Sequence, residues 1–144
     1  MSRIVPLPTT NTVVDNTVAI INADGTVASF AGSASTASRI PSSANSVNAT
    51  SAKASAGKLF GVNGLNTSAT VTYIKFYNKA SAPTVGTDTP VLTIAIPASA
   101  AFNFDLGGIA FSTGIAYGLT TDAADAGTTA VAAGAILGLN VVYA

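Results

Sequence analysis

The sequence contains no cysteine, histidine, tryptophan or glutamate. Without cysteine there is no disulfide framework, no thiolate zinc site and no cysteine nucleophile. Without histidine, the commonest general base and metal-ligating side chain is missing. Charge is also scarce, at 8% of residues against the ~25% usual for soluble domains. Six basic side chains, Arg3, Arg39, Lys53, Lys58, Lys75 and Lys79, are scattered and balanced by six acidic ones, all aspartate. Nucleic-acid surfaces need clustered positive charge, so no nucleic-acid partner is expected. A surface with zero net charge favours association, which suggests that other subunits cover part of it.

Long apolar runs are missing as well. Pro6 and Pro8 interrupt the N-terminal MSRIVPLPTT, so it does not read as a signal peptide. Ala126 to Ala144 carries no charge, but Gly127, Gly134, Gly138 and Asn140 break it and its larger apolar residues mostly alternate. A membrane span is therefore not expected.

What remains is alternation. Lys58 to Asn78 reads KLFGVNGLNTSATVTYIKFYN, two alternating runs around a polar break at Asn66-Thr67-Ser68. Ile74 and Phe76 fall on one face of the second run, with Val71, Tyr73, Lys75 and Tyr77 on the other. In the first run Phe60 and Val62 share a face, and Gly61 and Gly64 permit a bulge or close backbone approach. The expectation is a central antiparallel hairpin, one face buried and the other mixed. Further strands are expected at Thr12–Ile21 and Thr26–Phe30, a small hairpin about the turn Asn22–Gly25. Residues 46–56, Val91–Ile96, Ala101–Asp105, Ile115–Thr120 and Leu137–Tyr143 also read as strands. Leu106–Ala110 reads as a turn with Phe111 anchored beneath it, and 79–90 and 121–134 read as loops, the latter with room for a short helical turn. Residues 1–11 read as an extended arm. The Ser/Ala-rich 31–57 lacks the apolar area to order by itself; residues 46–56 are assigned as strand and the part before as loop.

These elements predict an all-β, antiparallel β-sandwich of roughly seven to nine strands, jelly-roll-like with an immunoglobulin-like alternative, carrying an extended N-terminal arm. The division is residues 1–45, arm, small hairpin and linker, and residues 46–144, sandwich domain.

Chemistry-bearing groups are sparse. Asp122 and Asp125 offer too few oxygens for calcium and do not match an EF-hand loop. Asp88 and Asp105 are a conceivable carboxylate pair, but a glycosidase needs them about 5–10 Å apart. Ser55-Ala56-Gly57-Lys58 matches S-x-x-K, which works on a helical turn that Gly57 disfavours, and the partner motifs S-D-N and K-T-G are missing. Asn48-Ala49-Thr50 and Asn66-Thr67-Ser68 match the glycosylation acceptor pattern by chance. The expectation is a protein that is not an enzyme and holds no cofactor or metal. Outward Tyr73 and Tyr77 would suit a sugar or a protein interface.

ASAGKLFGVNGLNTSATVTYIKFYNKASAPTVGTDTPVLTIAIPA, then FDLGGIAFSTGIAYGLT, then a final strand ending NVVY, together resemble small β-sandwich virion proteins of tailed bacteriophages. The likeness runs from Ala54 through Tyr143. It is carried by Lys58–Asn78, by the loop Ala82–Pro90 and by Phe111–Tyr117. It implies a capsid decoration (cement) protein on the outer surface of the virion, bound to the major capsid protein and itself a dimer or trimer. Arms at 1–11 and 31–50 would make the contacts. Arg3 and Arg39 lie on those arms, and with Tyr73, Lys75 and Tyr77 they are the candidate interface residues. The alternative is a receptor- or carbohydrate-binding module of a head or tail fibre.

Overall fold

In the computed structural model, residues 34–144 are described throughout, with the backbone of two short strands before them. The chain divides into two units, Met1–Gly32 and Ser33–Ala144. In the first, β1 (Ile20–Ile21) pairs antiparallel with β2 (Val27–Ala28), as the turn at Asn22–Gly25 predicts. The expected arm at 1–11, with Arg3, lies outside the described residues.

The second unit is all-β. Its strands are β3 (Thr36–Ser42), β4 (Thr50–Lys53), β5 (Gly57–Asn66), β6 (Thr72–Asn78), β7 (Leu92–Ile96), β8 (Ala100–Phe111), β9 (Ile115–Thr120) and β10 (Ile136–Tyr143). They form two four-stranded antiparallel sheets, ordered β3-β10-β5-β8 and β4-β9-β6-β7. The pairs β3·β10, β4·β9, β5·β8 and β6·β7 nest one inside the next. This is one long ribbon, folded back at the β6–β7 loop and wound up. Winding brings β10 beside β5 and β9 beside β6. The result is a jelly roll, which decides against the immunoglobulin-like alternative.

The inner faces meet over Leu59, Val62, Ile74, Phe76, Ile96, Phe102, Phe111, Ile115, Tyr117, Leu119, Ile136, Leu139 and Val141, all buried. Each large side chain here contributes about 1.5–3 kcal/mol by leaving water. The Phe76 and Tyr117 rings lie 6.0 Å apart at 53°, within the range of favourable aromatic pairs. The Tyr117 hydroxyl meets Ser38 Oγ at 3.2 Å, which ties β9 of one sheet to β3 of the other.

The structure differs from three expectations. β5 and β6 are not a hairpin, because they belong to different sheets. The polar break between them is a corner built on Asn66, whose side chain is wholly buried. Its Nδ2 donates to the carbonyls of Thr70 (3.1 Å) and Ile96 (3.4 Å), and its Oδ1 accepts from Ser68 N–H (2.9 Å). The corner is thus fixed to its own loop and to the neighbouring β7.

Second, Leu106–Ala110 is not a turn. β8 runs on through it with a bulge, Gly107 and Gly108 taking φ of 63° and 89°, which a side chain would resist. Register passes from Gly61↔Asp105 to Leu59↔Ile109 across it. A further bulge lies in β5 at Phe60, where register with β10 passes from Val142↔Gly61 to Tyr143↔Leu59; it puts Leu59 with Val62 on the inner face, so Phe60 does not share Val62's face as simple alternation predicts.

Third, the Ser/Ala-rich lead-in is not loop up to residue 45. Thr36–Ser42 is the edge strand β3, ordered by pairing with β10. The strand expected over 46–56 is confined to β4, Thr50–Lys53.

Residues 121–134 are a loop, as expected, with a turn closed by Gly127 N–H on the Ala124 carbonyl (2.8 Å); among the described residues there is no helix, and so none long and apolar enough to cross a membrane. The uncharged C-terminal stretch ends as β10.

Candidate functional site

The two sheets differ in what covers their outer faces. The outer face of the β4-β9-β6-β7 sheet is roofed by the chain's own loops. At its centre, Lys75 of β6 pairs with Gly118 of β9. A Cβ on Gly118 would lie 2.7 Å from Val85 Cγ2 and 3.4 Å from the Val47 carbonyl, so two separate segments press on the sheet there. Lys75 is wholly buried, and its Nζ donates to the carbonyls of Ala124 and, at 3.1 Å, Gly127. It pins the β9–β10 loop. Tyr77 is 1% exposed. Its hydroxyl has no partner among the described residues. Burial, and then the negative charges of Asp88 and Asp125, hold its pKa above the ordinary tyrosine value.

The expected interface residues therefore separate. Lys75 and Tyr77 are interior, which removes them from any outer surface, because loops cover the face that alternation leaves bare. Tyr73 is half-buried and Arg39 is exposed on β3. Arg3 lies outside the described residues.

Three aspartates serve local structure. Asp88 forms an ion pair with Lys79 (2.6 Å) and accepts from Thr84 N–H (2.7 Å). The Lys79 hydrogen bond, with the Thr84 amide, holds its pKa below the ordinary aspartate value. Asp105 sits in the other sheet, where its Oδ1 accepts from Gly107 N–H (3.0 Å) and fixes the bulge. The two are not a carboxylate pair facing one cleft. Asp122 Oδ1 closes a turn with Ala124 N–H (3.2 Å). Among the described residues no group of three or more carboxylates could hold a metal. Ser55 lies in the bend before β5, and Lys58 on β5, so S-x-x-K has no helical turn.

Among the described residues, nothing covers the outer face of the β3-β10-β5-β8 sheet, where Arg39 and Asn103 are exposed. Ile40, Leu139, Val141, Val62, Phe102 and Phe104 point into the core, so the residues between them point out. One row crosses all four strands in register: Arg39↔Asn140, Asn140↔Asn63 and Asn63↔Asn103. Asn140 Nδ2 donates to Asn63 Oδ1 at 2.9 Å and to the Gly138 carbonyl at 3.0 Å. Beside this row is a depression of about 280 Å³ lined by Phe60, Gly61, Asn63, Asn103, Asp105 and Val142. Its floor is low because Gly61, between Val142 and Asp105 in the next row, has no side chain.

A second cleft, of about 300 Å³, opens beside the edges of β7 and β8. It is largely apolar, with Val91, Leu92, Ile109 and Phe111 in its wall, and Val91 is 59% exposed.

The polar row was missed in the sequence. Each of its asparagines stands between two inward positions, Val62-Asn63-Gly64, Phe102-Asn103-Phe104 and Leu139-Asn140-Val141. That spacing marks each as outward. Only the register of three distant strands puts them in one line.

No family model, curated protein or solved structure matches this chain.

Proposed function

We propose that the protein is a structural virion protein, a capsid decoration (cement) protein that binds the major capsid protein and stabilises a tailed-phage head. The observation that carries this reading is the kind of surface the jelly roll presents. Leu65, Val71, Val91 and Ile109 are exposed large apolar side chains on a body with very few charges. Val91 and Ile109 meet at one largely apolar cleft, and apolar surface gathered in one place on a body of zero net charge favours packing against other subunits. The aspartates at 88, 105 and 122 stabilise the chain's own loops, as expected of a body that works by shape. A jelly roll serves many functions, so the fold alone does not select this one. The sequence likeness over Ala54–Tyr143 supplies the phage context.

A shell protein of this type acts by burying surface between capsid subunits. Many copies on one shell supply avidity, so weak single contacts suffice. Self-association as a dimer or trimer belongs to the same reading. The fibre-module alternative drew on Tyr73 and Tyr77 as an outward aromatic pair, and burial of Tyr77 removes that motive. Antibody labelling of intact, purified particles tests the proposal: label on the outer surface of the head is expected, and label only on the tail, or none, contradicts it.

A further inference from the structure

We infer that the open face of the β3-β10-β5-β8 sheet is a binding site for an uncharged oligosaccharide, centred on Asn63 and Asn103 with Phe60 as its apolar platform. This goes beyond the shell-binding reading and does not depend on it.

The row has the chemistry to bind hydroxyl groups. Arg39, Asn140, Asn63 and Asn103 stand side by side on successive strands. A sugar hydroxyl both donates and accepts, and an amide side chain offers two donors and an acceptor. The bond from Asn140 Nδ2 to Asn63 Oδ1 fixes both amides. It leaves Asn63 Nδ2 and Asn140 Oδ1 without a partner among the described residues, a donor and an acceptor side by side. Asn103 is exposed, and its side chain has no hydrogen bond to the described residues. Asp105 spends Oδ1 on the Gly107 amide and keeps Oδ2 as an acceptor at the rim.

The shape of the face suits a sugar ring. The depression beside the row has an aromatic ring, Phe60, at one side and polar groups at the other. The ring is backed by the glycine bulge, since a Cβ on Gly108 would lie 3.0 Å from Phe60 Cε1. A pyranose has an apolar face of C–H groups and a rim of hydroxyls, which matches a ring beside amides. Four strands in register span about 14 Å at the usual inter-strand spacing, enough for several sugar units.

The face carries little charge. Arg39 stands at one end of the face, with Asp105 and Lys58 toward the other. That is too few cations, too far apart, for a nucleic acid. It also gives no reason to prefer an anionic glycan. An extended peptide would add to a strand edge, whereas this site lies on the face, where backbone groups are already paired.

The test uses the full chain and four uncharged probes: maltohexaose, cellohexaose, chitohexaose and mannohexaose. Amide chemical-shift changes are followed by NMR at millimolar sugar. At least one probe is expected to shift resonances of residues around Asn63, Asn103 and Phe60. Asn103→Ala and Phe60→Ala are each expected to weaken that binding about tenfold, the scale of one lost polar or stacking contact. Asn103→Ala removes no hydrogen bond of the fold, so its melting temperature stays that of the parent chain, and it keeps the test decisive if Phe60→Ala unfolds. Absence of binding by all four probes overturns the inference. So does binding that Asn103→Ala leaves unchanged. A dimer in solution that dissociates on Asn103→Arg, without sugar binding, overturns it in favour of a contact between copies. Head binding is read separately, so failure here leaves the shell proposal standing.

Discussion

Tyr77 and Tyr117 are both buried and both have their pKa raised chiefly by loss of water, yet they are not equivalent. Tyr117 shares a hydrogen bond with Ser38, whereas the Tyr77 hydroxyl has no partner among the described residues. A buried unpaired hydroxyl costs about 1–3 kcal/mol. Tyr77→Phe is therefore expected to leave the melting temperature unchanged or raise it. A loss above about 1 kcal/mol in denaturant unfolding would show that the hydroxyl is bonded in solution. Asp88 gives a pH signature. Its folded-state pKa is lowered by Lys79 and the Thr84 amide, so between that value and the ordinary one near 3.8 the unfolded chain binds more protons. Its stabilisation is complete above the ordinary value and is lost as pH falls through the folded one. Asp88→Asn is expected to melt below the parent chain at neutral pH, with the gap closing as pH drops below about 3.8. A gap that does not change with pH would contradict the ion pair. Neither residue's part was legible in the sequence: Asp88 reads there as one of several loop carboxylates, and Tyr77 as an outward aromatic.

At the scale of elements, β6 shows what alternation tells and what it hides. Its pattern correctly sends Ile74 and Phe76 to the core and Lys75 and Tyr77 to the opposite side. It carries no information about whether a loop returns to cover that side. Here the β6–β7 and β9–β10 loops do, and Lys75 holds the second through two carbonyls. Lys75→Met keeps the stem but removes the donors, and hydrogen bonds from a charged group are worth about 1.5–3 kcal/mol. A loss of about 2–3 kcal/mol is expected, with amides of the 121–131 segment exchanging faster than those of β9. Uniform exchange across both would place the loop's stability elsewhere. Other elements were legible for local reasons. β7 and β9 announce themselves by alternation, and Phe111 by its isolation beside a glycine-rich stretch. β3 was not, because Thr36–Ser42 has little apolar content and is ordered by β10, far away in the chain. The Asn66 corner looked like a hairpin turn because a polar break between two strands reads the same whether the chain pairs back or crosses to the other sheet.

At the scale of the whole jelly roll, the class was legible and the face was not. Short alternating runs with regular turn signals specify an all-β sandwich, and the strand count leans toward a jelly roll. The nesting of β3·β10 around β4·β9, β5·β8 and β6·β7 depends on which edges meet, and only the fold reveals it. The same nesting gathers Arg39, Asn140, Asn63 and Asn103 from four strands onto a sheet face that no described loop covers. It leaves Val91 and Ile109 beside the cleft at the β7 and β8 edges, where apolar surface is available to a second subunit. Under the proposed function, this body works by covering a capsid shell. The most direct test is co-sedimentation of the purified full chain with expanded heads that lack it, followed by heating of the loaded heads. Saturable binding at a fixed number of copies per head is expected, with release of the packaged contents at a higher temperature. Protein that stays in the supernatant at every concentration, with heads no more resistant to heat, would contradict it.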